Sequence, residues 1–131
     1  MKYAALLTND AADVERWKSM SEDEAKAARE LEMPKWNALF AEIGPYVRFG
    51  AELDEPSAAK TVRVRNGEVL VTDGPYAESK ELIGGLFVFE CDDLDQAIAL
   101  AEKIPLVHRG SVELRPLVEN PDPEEQVPAA S

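Results

Sequence analysis

Two residues in this sequence, Asp73 and His108, carry side chains suited to moving a proton. Asp73 ends an apolar run and is followed directly by Gly74 and Pro75. A carboxylate at the end of a strand can project into a cleft and act as a general acid or base. The same three residues are also common in turns, because Asp accepts amide hydrogen bonds, Gly permits unusual φ angles and Pro fixes the chain direction. Both roles for Asp73, proton transfer and turn formation, stay open.

His108 is the only histidine in the chain. Its side chain has an unperturbed pKa of about 6.5, so it could exchange a proton easily near neutral pH. The residue lies between Pro105 and Gly110, in a segment typical of a loop. A solvated loop histidine is therefore the alternative to a catalytic one, because position in the sequence identifies no partner for it.

Tyr76, Lys80 and Arg115 are candidate ligand-binding residues. Their hydroxyl, ammonium and guanidinium groups could hold a small anionic or phenolic ligand. The alternatives are a solvated loop for Lys80 and a ring that fills the core beneath the loop for Tyr76. Gly84-Gly85 lacks the spacing of phosphate-binding loops, which argues against a nucleotide cofactor. A single cysteine and a single histidine offer no zinc site, so we expect no metal and no cofactor.

Composition excludes several classes of partner. The 131 residues, 45% of them apolar, suit one domain. A net charge of −12 and a pI near 4.5 would repel phosphate backbones and anionic lipid surfaces, so we expect neither nucleic acid nor membrane as a direct partner. The sequence has no leader-like amino terminus and no apolar run near the roughly 20 residues needed to span a bilayer. A reducing cytoplasm is the expected location.

Alternation of apolar and polar residues predicts four core strands and one hairpin. The hairpin flanks Asn66-Gly67, the pair that best tolerates the positive φ angles of a two-residue turn. Ser111–Leu117 alternates as an edge strand would. The predicted core strands are Tyr3–Thr8, Tyr46–Leu53, Leu82–Phe89 and Ser111–Leu117, and the hairpin strands are Thr61–Arg65 and Glu68–Thr72.

Two helices are expected between these strands. Ser21 and Glu24 form a capping box that should start the first helix, and Gly44-Pro45 should end it. Pro34 predicts a kink or a brief break near Met33. Asn9-Asp10 is expected to be a polar loop. Asp92 or Asp93 should cap the second helix, which Pro105 should stop and whose core face is predicted to comprise Leu94, Ala97, Ile98, Ala101 and Ile104.

Without the hairpin the order is βαββαβ, which predicts an α+β, ferredoxin-like sheet with an inserted β-hairpin. The first and third core strands are apolar on both faces, as central strands are when both sheet faces are covered. Two helices can cover one face only, so a self-complementary second subunit is expected on the other, in a homodimer. Residues 1–118 should form the domain. Residues 119–131 are acidic and proline-rich, and should be a disordered tail.

The run VLVTDGPYAESKELIGGLFVFE, residues 69–90, resembles the signature of the DGPF subgroup of YCII-related proteins. TVRVRNGEVLVTDGPYAESKELIGG, DDLDQAIALAEKIP and GSVELRPL extend the resemblance to about residues 46–118, and MKYAALLT is similar to the first strand. The resemblance implies a dimeric α+β barrel and an Asp that works with a His. The wider family carries that His in the first helix, whereas this chain has none between Ser21 and Ile43. Only a pair of Asp73 with His108 could replace it.

Two functions remain. One is a cofactor-independent enzyme, similar to lyases, isomerases or dehydrochlorinases of the barrel group, in which Asp73 moves a proton on a small organic molecule and His108 or Tyr76 assists. The other is a non-catalytic ligand-binding or regulatory protein linked to an extracytoplasmic-function sigma factor, since genes for related proteins often lie beside such factors. The residues do not choose between them.

Overall fold

The computed structural model describes residues 1–74 and 81–119, and this part of the chain forms an α+β fold with antiparallel sheets and three α-helices. The elements are β1 (Lys2–Asp10), α1 (Ala11–Ser19), α2 (Glu22–Ile43), β2 (Val47–Glu52), β3 (Lys60–Arg65), β4 (Glu68–Asp73), β5 (Glu81–Glu90), α3 (Leu94–Glu102) and β6 (Ser111–Pro116). The predicted tail, from residue 120 onward, lies outside the described residues.

The main sheet has four strands in the order β2-β5-β1-β6, and every neighbouring pair is antiparallel. The strands that are apolar on both faces, β1 and β5, are central, as their composition predicts. The alternating strand β6 is an edge, which is also confirmed. This order is consistent with a ferredoxin-like fold.

Strands β3 and β4 form a separate two-stranded antiparallel sheet between β2 and β5 in the chain. Asn66 and Gly67 connect them, with φ angles of 53° and 79°. Positive φ at both central residues is the geometry of a tight hairpin turn, and Asn and Gly adopt it at low cost.

The core lies between one face of the four-stranded sheet and the helices. Register places Tyr3 opposite Phe89 and Ala5 opposite Phe87, so these four side chains share the covered face. Phe87 and Phe89 stack with ring centroids 6.0 Å apart. Helix α2 contributes Leu39 and Ile43 to this core, and α3 with the residues just after it contributes Ala97, Leu100, Ile104 and Leu106.

Helix α2 begins as the capping box predicts. The Ser21 hydroxyl accepts a hydrogen bond from the Glu24 amide and donates one to the Glu24 carboxylate, both at 3.1 Å. A kink or a brief break was the prediction near Met33, and the break is wrong, because the helix runs unbroken through Pro34. Pro34 is exposed, so water can satisfy the carbonyl that loses its helical partner there.

Two further helix predictions need correction. Asp10 is not in a loop, since its carboxylate accepts a hydrogen bond from the Asp13 amide at 2.7 Å and caps α1. Asp93 caps α3 in the same way, through the Gln96 amide. The core face of α3 was expected to include Leu94 and Ile98, but both are exposed. The stripe that meets the sheet is centred on Ala97, Leu100, Ala101 and Ile104.

Candidate functional site

His108 lines a cleft of about 510 Å³ between α2 and the segment that follows α3. The histidine ends a short 3₁₀ helix, Pro105–His108, whose first residue is the proline expected to stop α3. Trp36 of α2 presents a partly buried ring to the same cleft. An imidazole and an indole at one cleft can bind a small planar molecule by stacking and hydrogen bonding.

Charged side chains around this cleft are largely paired with each other. Arg109 Nη2 lies 2.8 Å from Glu32 Oε1, and Lys103 Nζ lies 3.1 Å from Glu42 Oε2. Arg109 Nε also lies 3.8 Å from Oδ2 of Asp13, an oxygen that is buried and accepts no hydrogen bond from the described residues. Arg109 thus links α1 and α2 to the segment that leads into β6. Its ion pairs with Asp13 and Glu32 balance its charge and hold these elements together.

Sequence reasoning identified His108 but missed the residues around it. Lys35, Trp36, Lys103 and Arg109 also line the cleft, and they come from two chain segments about 70 residues apart. Only the packing of α2 against the segment after α3 brings them together. The one signal for this cleft in the sequence was Trp36, a large aromatic residue in a helix that is otherwise rich in charged residues.

Asp73 ends β4, at the base of the β3–β4 hairpin. Its carboxylate forms an ion pair with Lys60, the residue directly opposite on β3, and its side chain is 85% exposed. The next residue, Gly74, has a φ angle of 92°, and its amide donates to the Ala59 carbonyl at 2.8 Å. Gly74 therefore makes the turn that the Asp-Gly pair predicts, while the Asp73 side chain points to solvent and Lys60.

Arg115 lies on the edge strand β6 and forms an ion pair with Glu113 at 2.9 Å. Its register partner is Ala4, on the sheet face that the helices do not cover. Tyr76 and Lys80, the other two predicted ligand-binding residues, lie outside the described residues.

The three predicted site residues that the structure describes therefore fall in separate places within one chain. His108 is in the helix-side cleft, Arg115 is at the edge of the sheet, and Asp73 is on the hairpin. Asp73 is not among the described residues that line the His108 cleft. Whether a pair of Asp73 with His108 ever acts together stays a prediction.

The centre of the second face of the four-stranded sheet is apolar, and among the described residues no helix packs on it. We call this surface the open face, and define it by Ala4, Leu6, Phe49, Leu86 and Val88, which the strand register places on one side. Phe49 is exposed, and the other four are half-buried. An apolar surface of this kind in the middle of a sheet is typical of an interaction or binding site.

Cys91 is buried, and burial raises the pKa of its thiol. Its sulfur donates weakly to the Asp93 carbonyl at 3.5 Å. A protonated, buried thiol is a poor nucleophile, so Cys91 is suited to a structural role.

Among residues 1–74 and 81–119, no three His, Cys, Asp or Glu side chains converge in a way that could hold a metal ion. No helix in that part of the chain is long and apolar enough to cross a membrane.

Comparison with known proteins gives a family but no activity. Residues 1–120 match the YCII-related domain. An uncharacterised protein of Rhizobium meliloti (strain 1021) is 37% identical over 120 residues, which cover 89% of this chain and 92% of that protein.

Proposed function

Because the chain belongs to the YCII-related family, we propose that it is a homodimer of the dimeric α+β barrel type, in the DGPF subgroup, that acts on a small organic molecule without a cofactor. The open face carries this proposal. Its central residues, Leu6, Leu86 and Val88, stay half-exposed because α2 and α3 pack on the opposite side of the sheet.

A second subunit is the economical cover for such a face. Full burial of one Leu or Val side chain contributes roughly 1.5–3 kcal/mol to stability. Covering the several apolar side chains of the open face would therefore stabilise a dimer. Two copies related by a twofold axis would each cover the other's face with the same residues. The space between two facing sheets is also where a small apolar molecule would be removed from water.

Asp73 is the proposed proton-transfer residue. Its carboxylate is exposed except for the ion pair with Lys60, so a bound molecule can reach it. A bound molecule would transfer a proton from carbon or oxygen to the carboxylate and take it back at a second atom, so no oxidant or reductant is needed. Tyr76 and Lys80, within seven residues after Asp73, together with Arg115, are proposed to hold the ligand, and His108 to assist.

Static light scattering tests the assembly. We expect a mass of twice 14.4 kDa at micromolar concentration. A monodisperse monomer that binds no hydrophobic dye would contradict the proposal. In such a monomer no second subunit covers the open face, yet no apolar surface is available to the dye.

Asp73→Asn tests the chemistry, with Glu68→Gln as its matched control on the same strand. Both changes neutralise an exposed carboxylate of β4, so each should shift the free energy of unfolding by less than about 1 kcal/mol. Only the change at Asp73 should abolish turnover in a screen of small phenols and lactones, because an amide does not exchange a proton near neutral pH. Full activity of the Asp73 variant would remove Asp73 from the mechanism.

The second candidate is a non-catalytic ligand-binding or regulatory protein linked to an extracytoplasmic-function sigma factor. The exposure of Asp73 on the hairpin favours it, since residues that transfer protons in enzymes usually lie in a cleft that shields them from water. Under this alternative the wild type binds a ligand without converting it, and Asp73→Asn leaves the affinity unchanged. A sigma-factor gene beside the coding gene would support it, and a catabolic operon would favour the enzyme.

A further inference from the structure

One face of the β3–β4 hairpin carries four valines, with the Lys60–Asp73 ion pair at its base. Val62 lies opposite Val71, and Val64 lies opposite Val69. Residues that face each other across an antiparallel pair project from the same side, so the four form one patch, which we call the valine face. Each of its members is between 58% and 66% exposed.

The hairpin has little support from the rest of the subunit. Within the described residues, β3 and β4 contact each other extensively and other elements only sparsely. Hydrogen bonds at the base, such as that from the Gly74 amide to the Ala59 carbonyl, tie it to the chain. An isolated two-stranded hairpin is marginally stable in water unless its apolar side is packed against something.

The hairpin also differs in charge from the rest of the chain. Between Lys60 and Asp73 there are three basic and two acidic side chains, a net charge of +1. The whole chain carries −12, so the remaining residues carry −13. Two such subunits repel each other. The hairpin, whose Arg63 and Arg65 lie on the side away from the valines, does not add to that repulsion when it approaches the acidic surface of another copy.

We propose that the hairpin is a dimer arm, whose valine face packs against a second copy of this chain beside the open face. The inference rests on the homodimer proposed above and names the residues that would hold it together. Three observations favour a second copy as the occupant: the charge of the hairpin, the apolar open face in the same chain, and the position of the hairpin between β2 and β5, two strands of that face.

The test replaces all four valines by threonine (Val62→Thr, Val64→Thr, Val69→Thr and Val71→Thr) and measures the dimer dissociation constant by sedimentation equilibrium. Threonine keeps the β-branched shape and the strand preference but adds a hydroxyl to a surface that the dimer would bury. Leu70→Thr is the matched control, since Leu70 lies on the opposite side of the same hairpin, across from Arg63.

We expect the fourfold variant to dissociate at least tenfold more readily than the wild type, and Leu70→Thr to be unchanged. If the wild type is a dimer and neither variant changes its dissociation constant, the proposed role of the hairpin is wrong, whereas the homodimer is still supported. A monomeric wild type would overturn the homodimer and the arm together. Equal weakening by both variants would also overturn the valine face as the specific contact.

Circular dichroism establishes that each variant is folded. Should the fourfold variant be unfolded, Val64→Thr/Val69→Thr makes the same comparison with two substitutions. A dimer constant unchanged in that folded double variant would overturn the proposal. Binding of the valine face by a different protein, with the chain itself monomeric, would do so as well.

Discussion

The covered face of the four-stranded sheet and the valine face of the hairpin are built from similar residues but have opposite surroundings. Phe89, on the covered face, has no exposed surface, and Ala5 beside it has none either. Val64 and Val69, on the hairpin, keep more than half of theirs. In both surfaces, apolar residues recur at every second position of the strands.

The difference lies in what the chain supplies to cover each surface. Helices α2 and α3 supply Leu39, Ile43 and Leu100 to the covered face, whereas the described residues place no helix on the hairpin or on the open face. Alternation in a sequence therefore predicts that a face is apolar and needs a partner. It does not identify whether that partner is in the same chain.

The largest effect should come from truncating the covered core. Phe89→Ala should lower the free energy of unfolding by about 3–5 kcal/mol, since it removes a fully buried ring and leaves a cavity. Val64→Ala should cost less than about 1 kcal/mol in dilute protein, because that side chain is already largely in water. Urea denaturation measures both. Similar costs at the two positions would mean that the hairpin is packed within its own subunit.

A smaller loss of stability is expected from a substitution at Gly110, which directly precedes β6. A methyl group on Gly110 would overlap the backbone carbonyl of Thr8, so Gly110→Ala should destabilise the protein by about 1–3 kcal/mol. Gly44→Ala is the matched control, with nothing within 4 Å of its added carbon and φ in the helical range. It should be neutral or slightly stabilising. Thermal melts compare them, and equal melting temperatures would contradict the close approach of Gly110 to β1.

Helix caps should distinguish the covered layer from the exposed half of α2. Asp93→Ala should cost about 1 kcal/mol, because it removes the cap of a helix packed on the core. Ser21→Ala should cost less in global unfolding, since the first turns of α2 are exposed and can fray while the core stays intact. Chemical denaturation with hydrogen exchange at α2 checks this. Equal losses in the free energy of global unfolding for the two variants would show that the start of α2 unfolds together with the core.

The smallest effect concerns Cys91 and appears only at alkaline pH. Burial raises the pKa of this thiol, so the folded protein holds the thiol proton more tightly than the unfolded chain. The contribution of the Cys91 thiol to the free energy of unfolding is constant at pH values below the pKa of a thiol in the unfolded chain, about 8.5. That contribution falls as the pH rises above this value.

Cys91→Ala should remove this alkaline loss and leave the pH dependence between 6 and 8 unchanged. Iodoacetamide should modify the native thiol far more slowly than the unfolded one. Rapid modification of the native protein at pH 7 would show that Cys91 is accessible.

Much of the sheet could be predicted from the sequence because its signals are local. Asn66-Gly67 locates the hairpin turn, and the doubly apolar strands β1 and β5 locate the centre of the sheet. Helix α1 was missed because Asp10 suits either a loop or an N-cap, and the residues after it show no strong apolar stripe. The buried face of α3 was misjudged because the sheet, rather than the helix sequence, selects the stripe that is covered.

The candidate site was far less predictable. His108 was identified by its chemistry, but Trp36 and Arg109 join it only through tertiary packing. The loop that carries Tyr76 and Lys80 lies outside the described residues, so the predicted neighbourhood of Asp73 stays a prediction.

Hydrogen exchange at the hairpin tests the central claim most directly, namely that a second copy covers the apolar surfaces left open in one subunit. In concentrated protein, we expect the amides of β3 and β4 to be protected, and to lose that protection on dilution, while β1 and β5 stay protected throughout. Rapid exchange of the hairpin amides at every concentration, alongside slow exchange in β1 and β5, would contradict the account.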